Sequence, residues 1–187
     1  MTKQNNPPHS GRHACVLAAV LVPLIVTAVA TVDAADWPCF RGANKDSISS
    51  ESMTVWPPQR LWTANVGIGY SGVSVWQGKV YAMGVNSSKN QDTISCFDEL
   101  TISTNPTPLW TYSYPVAYWG QNGYDGTRAT PTVDGGQVYT FSLDGQLKCL
   151  DRVTGALLWS NNVQNSYNYW GYAGSPLVEG IWSLLMH

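Results

Sequence analysis

The sequence predicts an all-β fold, a β-propeller of four-stranded antiparallel blades. One stretch, Thr127–Ser160, reads as four short strands separated by tight turns. A Leu-Trp pair recurs at positions 61, 109 and 158. Only 12% of residues are charged, and nine Trp and ten Tyr can fill the space between blades. A period of roughly 40 to 50 residues with four strands is typical of a propeller blade.

Residues 1–35 have the composition of a targeting segment. Lys3 and Arg12 make the start basic, residues 14–32 are apolar, and Asp33–Ala35 offers small residues for signal peptidase. We therefore expect an exported protein, periplasmic, extracellular or at the cell surface. The apolar run is long and contains Pro23, so an uncleaved membrane anchor is the alternative. Residues 36–59 form an N-terminal extension before the blades.

The central unit shows its strands most clearly. Each predicted strand is rich in β-branched or aromatic residues. Glycines in the three turns supply the backbone conformations that tight reversals require. The predicted strands are Ala129–Val133, Gln137–Ser142, Gln146–Asp151 and Ala156–Ser160.

Weaker copies of this unit lie before and after it. Gly78–Tyr81 corresponds to Gly136–Tyr139 on the second strand, and Cys96–Asp98 corresponds to Cys149–Asp151 on the third. The first strand of three successive units is then marked by Val75, Val133 and Val178. The sequence thus places blades over residues 60–180.

The two ends of that region are incomplete. Arg60–Thr63 is predicted to be a lone outer strand before the first full blade. After Gly180 the blade pattern breaks, and residues 181–187 are expected to form an out-of-pattern tail. This leaves about two full blades and two partial ones.

The end of the central unit resembles a known repeat. Leu150–Trp159 (Leu-Asp-Arg-Val-Thr-Gly-Ala-Leu-Leu-Trp) is similar to the Asp-x-x-Thr-Gly-x-x-x-Trp ending of the PQQ-like β-propeller family. That family includes quinoprotein alcohol dehydrogenases and an outer-membrane assembly lipoprotein, and its Trp packs between neighbouring blades. Asp36–Gly42 (Asp-Trp-Pro-Cys-Phe-Arg-Gly) resembles the opening of secreted bacterial members. In the preceding unit a longer loop, Glu99–Pro108, replaces Thr-Gly.

The resemblance implies a ring of about eight blades, which needs roughly 350 to 400 residues. The chain has 187 residues. We therefore expect an incomplete ring, a fragment from a truncated or frameshifted reading of a longer gene. The alternatives are a half-ring completed by association and a gene remnant.

Three cysteines follow the targeting segment: Cys39, Cys96 and Cys149. Three thiols cannot all pair within one molecule. Cys96 and Cys149 occupy the same strand position in adjacent blades, where equivalent Cα atoms should lie beyond the roughly 7 Å limit for a disulfide. These thiols are predicted to be small buried apolar groups.

A binding site is expected where the outer strand of one blade passes to the inner strand of the next, at the mouth of the central channel. Aromatic faces beside an arginine could stack on a quinone or a sugar and pair with its carboxylate. The alternative is that Trp119 and Trp170 only pack the rim. The candidate residues are Arg128, Trp119, Trp170, Tyr70 and Tyr124.

Two functions remain open from the sequence. The first is a non-catalytic binding or scaffold module with a protein partner or small ligand at the rim. The second is a fragment of a PQQ-dependent quinoprotein alcohol dehydrogenase, which by resemblance would hold PQQ with calcium in the channel. That enzyme type also uses a pair of adjacent cysteines, which this sequence lacks.

No catalytic or metal-binding residue is predicted. The carboxylates of Asp134, Asp144 and Asp151 are explained by turns and strand ends. The net charge of −2 gives no basis for nucleic-acid binding. A membrane would be contacted only through an uncleaved N-terminal segment.

Overall fold

The structure, a computed structural model, describes residues 1, 35–53, 55–118, 126–163, 171–179 and 183–186. The chain divides into two units, Met1–Val32 and Asp33–His187, and the strands lie in the second. Of the predicted targeting segment, residues 1–35, only Met1 and Ala35 are described, and Trp119, Tyr124 and Trp170 lie outside the described residues. In the part that is described, no helix is long and apolar enough to cross a membrane.

The ten strands of the described residues form two four-stranded sheets and one hairpin. The first sheet has the order β1-β2-β3-β4 and the second β5-β6-β7-β8. All neighbours are antiparallel. The strands are β1 Ser74–Trp76, β2 Lys79–Val85, β3 Gln91–Asp98, β4 Trp110–Pro115, β5 Thr132–Asp134, β6 Gln137–Phe141, β7 Gln146–Asp151, β8 Leu157–Asn162, β9 Pro176–Glu179 and β10 Ser183–Met186.

These sheets confirm the two predicted blades. The repeated positions pair in the same way in each: Tyr81 faces Cys96, which faces Trp110 in the first blade. In the second blade Tyr139 faces Cys149, which faces Trp159. Cys96 and Cys149 are buried free thiols, as predicted, and Cys39 is a third buried free thiol.

The blades are joined by the tryptophan of the repeat. The indole Nε1 of Trp110, on β4, donates to the carbonyl oxygen of Arg152 at 3.1 Å. A Cβ added to Gly155 would lie 2.5 Å from the Trp110 ring, and its φ of 72° also favours glycine. Trp62 repeats the contact one blade earlier, since its Nε1 donates to Glu99 O at 3.2 Å.

A second repeated contact joins the inner strands β1, β5 and β9. The Ser74 hydroxyl donates to the carbonyl oxygen of Pro131, and the Thr132 hydroxyl donates to that of Pro176. Both hydroxyl groups belong to buried residues. The three inner strands therefore follow one another in chain order. The main core of buried side chains lies between the two four-stranded sheets and consists of Tyr81, Met83, Ile94, Cys96, Val133, Val138 and Leu150.

Several predicted strand bounds differ from the structure. Arg60–Thr63 is not a strand: Thr63 N donates to Thr104 O at 3.1 Å, but no ladder of backbone hydrogen bonds is described for this segment. Ser183–Met186, in the predicted out-of-pattern tail, forms a strand that pairs antiparallel with β9. The inner strand β5 begins at Thr132, since Pro131 has no N–H to donate.

Candidate functional site

The rim between the first two blades is built by two segments that pair with each other. Gly69, before β1, bridges Thr127, before β5, in parallel. Tyr70 N donates to Thr127 O at 2.7 Å, and Ser71 Oγ donates to Thr127 Oγ1 at 2.8 Å. This register places Tyr70 and Arg128 at neighbouring positions, each one residue beyond the bridge.

The pairing is close because glycine faces glycine. A Cβ on Gly126 would lie 2.7 Å from the Cα of Gly69, and Gly126 has a φ of 126°. The buried Thr127 also donates from Oγ1 to Met83 O at 3.2 Å, and Ile68 bridges Val85 on the same strand. Strand β2 thus anchors both rim segments, as a site on rigid elements requires.

Two of the five candidate residues are therefore described. The Tyr70 side chain is 61% exposed, so its aromatic face is accessible. Arg128 is half-buried and makes an interaction within the chain. Trp119, Tyr124 and Trp170 lie outside the described residues, so their places at the rim stay predictions.

A polar cluster between the blades, not predicted from the sequence, lies beside this rim. Asp92, at the start of β3, is fully buried. Tyr118 Oη donates to Asp92 Oδ1 at 2.9 Å, whereas the buried Asp92 Oδ2 has no hydrogen-bond partner in the structure as described. The hydroxyl groups of Tyr114 and Thr140 are also buried in this cluster. Buried polar atoms without a hydrogen-bond partner are uncommon in folded proteins, so the buried Asp92 carboxylate is an unusual feature of this interface.

Asp144 supplies the second carboxylate of this cluster. It lies in the β6–β7 turn, as the sequence predicts, but its side chain does more than make the turn. Oδ1 accepts from Ser142 Oγ, and Oδ2 accepts from Ala117 N at 3.2 Å and Gln146 Nε2 at 2.9 Å. The explanation of Asp144 by turn chemistry alone was therefore incomplete.

The cluster shifts the titration of its members. Burial raises the pKa of Asp92 to about 7, the hydrogen bond from Tyr118 opposes this, and the charge of Asp144 adds to it. Burial, and then the charge of Asp92, raises the pKa of both Tyr114 and Tyr118. Asp92 therefore gains or loses its proton near neutral pH.

The Asp36–Gly42 motif lies along the inner strands. Trp37 and Val75 exchange two backbone hydrogen bonds of 2.8 and 2.9 Å, and Val133 N donates to Pro38 O at 2.8 Å. Lys45 forms an ion pair with Glu179 on β9. A cavity of about 250 Å³ lies between this segment and β9; it is lined by Cys39, Phe40, Arg41, Lys45, Ser175, Pro176 and Leu177.

Comparison with solved structures supplies the decisive likeness. The chain superposes on the quinohemoprotein alcohol dehydrogenase from Comamonas testosteroni with a TM-score of 0.57 and 19% identity, over 78% of this chain. The described part of the chain has a PQQ-like β-propeller fold. It spans 22% of the length of that dehydrogenase. The sequence matches no protein-family model and no curated protein.

Two further propeller proteins align less well. A europium-containing methanol dehydrogenase has a TM-score of 0.49 at 21% identity, over 65% of this chain and 21% of its own. BamB from Moraxella catarrhalis has a TM-score of 0.38 at 20% identity, over 63% and 44%. The assignment of the PQQ-like propeller fold rests on the first superposition and on the blade topology.

Proposed function

We propose that this chain is a non-catalytic binding module of an exported PQQ-like propeller. Its ligand lies at the rim formed by the segments before β1 and β5. The occupant that suits the rim is a ring compound with a carboxylate, such as an acidic sugar or a quinone. A loop of a protein partner that presents an acidic side chain offers the same chemistry.

The observation that carries this proposal is the parallel bridge between Gly69 and Thr127. It supports the proposal because Tyr70 and Arg128 each follow a bridged residue and are neighbours in the backbone register. A tyrosine face supplies apolar contact at a low entropy cost, and a guanidinium group binds a carboxylate through two parallel hydrogen bonds. Trp119 and Tyr124 belong to the same connection between β4 and β5 and are the proposed additional stacking residues. Trp170 is the counterpart of Trp119 in the next unit.

The second candidate is a segment of a PQQ-dependent alcohol dehydrogenase, and the likeness in fold to the quinohemoprotein enzyme favours it. Calcium takes six to eight oxygen ligands. Within the described ranges no group of three His, Cys, Asp or Glu residues is placed to hold a metal ion. Asp92 and Asp144 lie buried between blades, and Asp134 is exposed at the end of β5. These described residues do not fit a calcium-quinone site, so no catalytic step is assigned to them.

Binding is tested by titrating the full chain with PQQ, with a galacturonate trisaccharide and with neutral maltotriose. We expect at least one of the two carboxylated compounds to bind and maltotriose not to bind. Arg128→Ala should weaken that binding at least tenfold, while Arg60→Ala, at an exposed arginine elsewhere, should leave it unchanged. Binding that is indifferent to Arg128→Ala contradicts the proposed site.

A separate assay distinguishes the two functions. The full chain is incubated with PQQ, calcium and ethanol, and reduction of an electron-accepting dye is followed. The binding-module proposal predicts no reduction above a blank with bovine serum albumin. Reduction that needs all three additions would favour the dehydrogenase.

A further inference from the structure

The chain between β4 and the rim is held from both blades. Tyr118 Oη donates to Asp92 of the first blade at 2.9 Å, and Ala117 N donates to Asp144 of the second at 3.2 Å. The neighbouring Val116 N donates to Asn90 O at 3.0 Å. Two carboxylates thus face the same three residues, Val116–Tyr118, just before the segment that carries the candidate rim residues.

The two carboxylates are not equivalent. Asp144 accepts three hydrogen bonds, from Ser142, Ala117 and Gln146. Asp92 accepts one, and its Oδ2 is buried without a partner in the described structure. An ionised oxygen in that position would be desolvated and would face a second negative charge. Asp92 is therefore the group that holds a proton when the interface is closed.

The surroundings of Asp92 offer little compensation for a second charge. Tyr114 on β4 and Tyr118 after it present neutral phenols, and Asp144 faces it from the β6–β7 turn. Lys148 on β7 lies over the Tyr114 ring, with Nζ 5.1 Å from the ring centroid. Lys89, in the β2–β3 turn, is exposed. Among the described neighbours, none brings a cation into hydrogen bonding with Asp92.

We propose that Asp92 and Asp144 are positioning residues for the rim. The closed position of Val116–Tyr118 is the one in which Ala117 donates to Asp144 and Tyr118 to Asp92, and it requires one proton on Asp92. Loss of that proton sets two negative charges against each other between the blades. The repulsion is relieved when Val116–Tyr118 moves outward and admits water. The relevance of this motion to ligand binding rests on the proposed function, but the motion itself does not.

Hydrogen exchange of single amides in the full chain tests the inference, because the amides of Val116 and Ala117 are themselves the donors in question. Rates are measured by NMR from pH 5 to pH 8 and corrected for intrinsic exchange. If opening returns Asp92 from a pKa of about 7 towards its ordinary 3.8, the opening constant rises by up to about tenfold per pH unit and levels off above pH 7. Asp92→Asn, which mimics the protonated group, should abolish that rise.

Two matched variants complete the test. Asp134→Asn, at an exposed carboxylate at the end of β5, should keep the pH dependence of the wild type. Tyr118→Phe removes the donor to Asp92 and should raise exchange at every pH. A slope in Asp92→Asn equal to that of the wild type overturns the inference, as does a Tyr118→Phe variant with unchanged exchange. If exchange behaves as expected but no ligand binds, the proposed function fails while the positioning role stands.

Discussion

The indole Nε1 of Trp110 donates a hydrogen bond of 3.1 Å to the carbonyl oxygen of Arg152. It ties the outer strand of one blade to the third turn of the next. The same contact joins Trp62 to Glu99 one blade earlier. The Trp position of the repeat therefore acts as a connector between blades.

Removing this connector should destabilise the pair of blades. Trp110→Phe keeps an aromatic ring but loses the hydrogen bond, so the free energy of unfolding should fall by about 1 kcal/mol. Trp110→Ala also leaves a cavity at this half-buried position, so it should lower the free energy of unfolding by about 2 to 4 kcal/mol. Urea denaturation followed by circular dichroism measures both. Equal stability of Trp110→Ala and the wild type contradicts the role of this contact.

Three glycines separate backbone strain from steric contact. Gly136→Ala meets open space and should change the free energy of unfolding by less than about 0.5 kcal/mol. Gly135→Ala also meets open space but at a φ of 53°, so a loss of about 1 kcal/mol is expected. Gly155→Ala adds a clash with Trp110 and should cost about 2 to 4 kcal/mol. The order of the three in urea denaturation is the result to check, and a Gly155→Ala variant no less stable than Gly135→Ala would contradict the packing described.

The stability of the whole chain should depend on pH through Asp92. Its pKa in the folded chain, about 7, lies above the ordinary 3.8, so its favourable contribution is fully present below about pH 4 and is lost as the pH rises towards 7. Asp92→Asn removes this loss. Relative to the wild type, the variant should therefore gain stability between pH 4 and pH 7 and keep that gain above it. Thermal unfolding at each pH measures the difference, and a constant difference contradicts the buried state of Asp92.

The buried thiols should react slowly in the native chain. Burial raises the pKa of Cys96 and Cys149 to about 11, and it raises that of Cys39 as well. At pH 8 the thiolate fraction of Cys96 and Cys149 is then about a hundredfold lower than for a thiol of pKa 9, and access is restricted too. Maleimide labelling with peptide mapping, in native buffer and in urea, should show all three protected only in native buffer. Rapid native labelling of Cys96 would show that the blade core is open.

The blade pattern was predictable because its signals are local. β-Branched strands, glycine turns and the recurring Leu-Trp pair each report on a few adjacent residues, and the structure keeps β7 at its predicted bounds, Gln146–Asp151. The Asp92 cluster was not predictable in this way. Asp92 reads as one polar residue in a strand, and the charge of Asp144 acts on it only because the next blade brings Asp144 near.

The rim shows the same limit. Tyr70 and Arg128 were candidates because each precedes an inner strand, but local patterns do not state that Gly69 and Thr127 pair. That pairing depends on backbone contact between two repeats, which the absence of a side chain at Gly126 allows. Arg60–Thr63 illustrates the opposite case. Its composition is strand-like, but no neighbouring strand is described for it to pair with, and it forms no strand.

The central claim is that Tyr70 and Arg128 form one site, and a double-mutant cycle tests it most directly. The affinity of the carboxylated ring compound that binds is measured by calorimetry for the wild type, Tyr70→Ala, Arg128→Ala and the double variant. Side chains that share one ligand should lose affinity non-additively, with a coupling energy of at least about 0.5 kcal/mol. Strictly additive losses, or no loss in either single variant, would contradict the account.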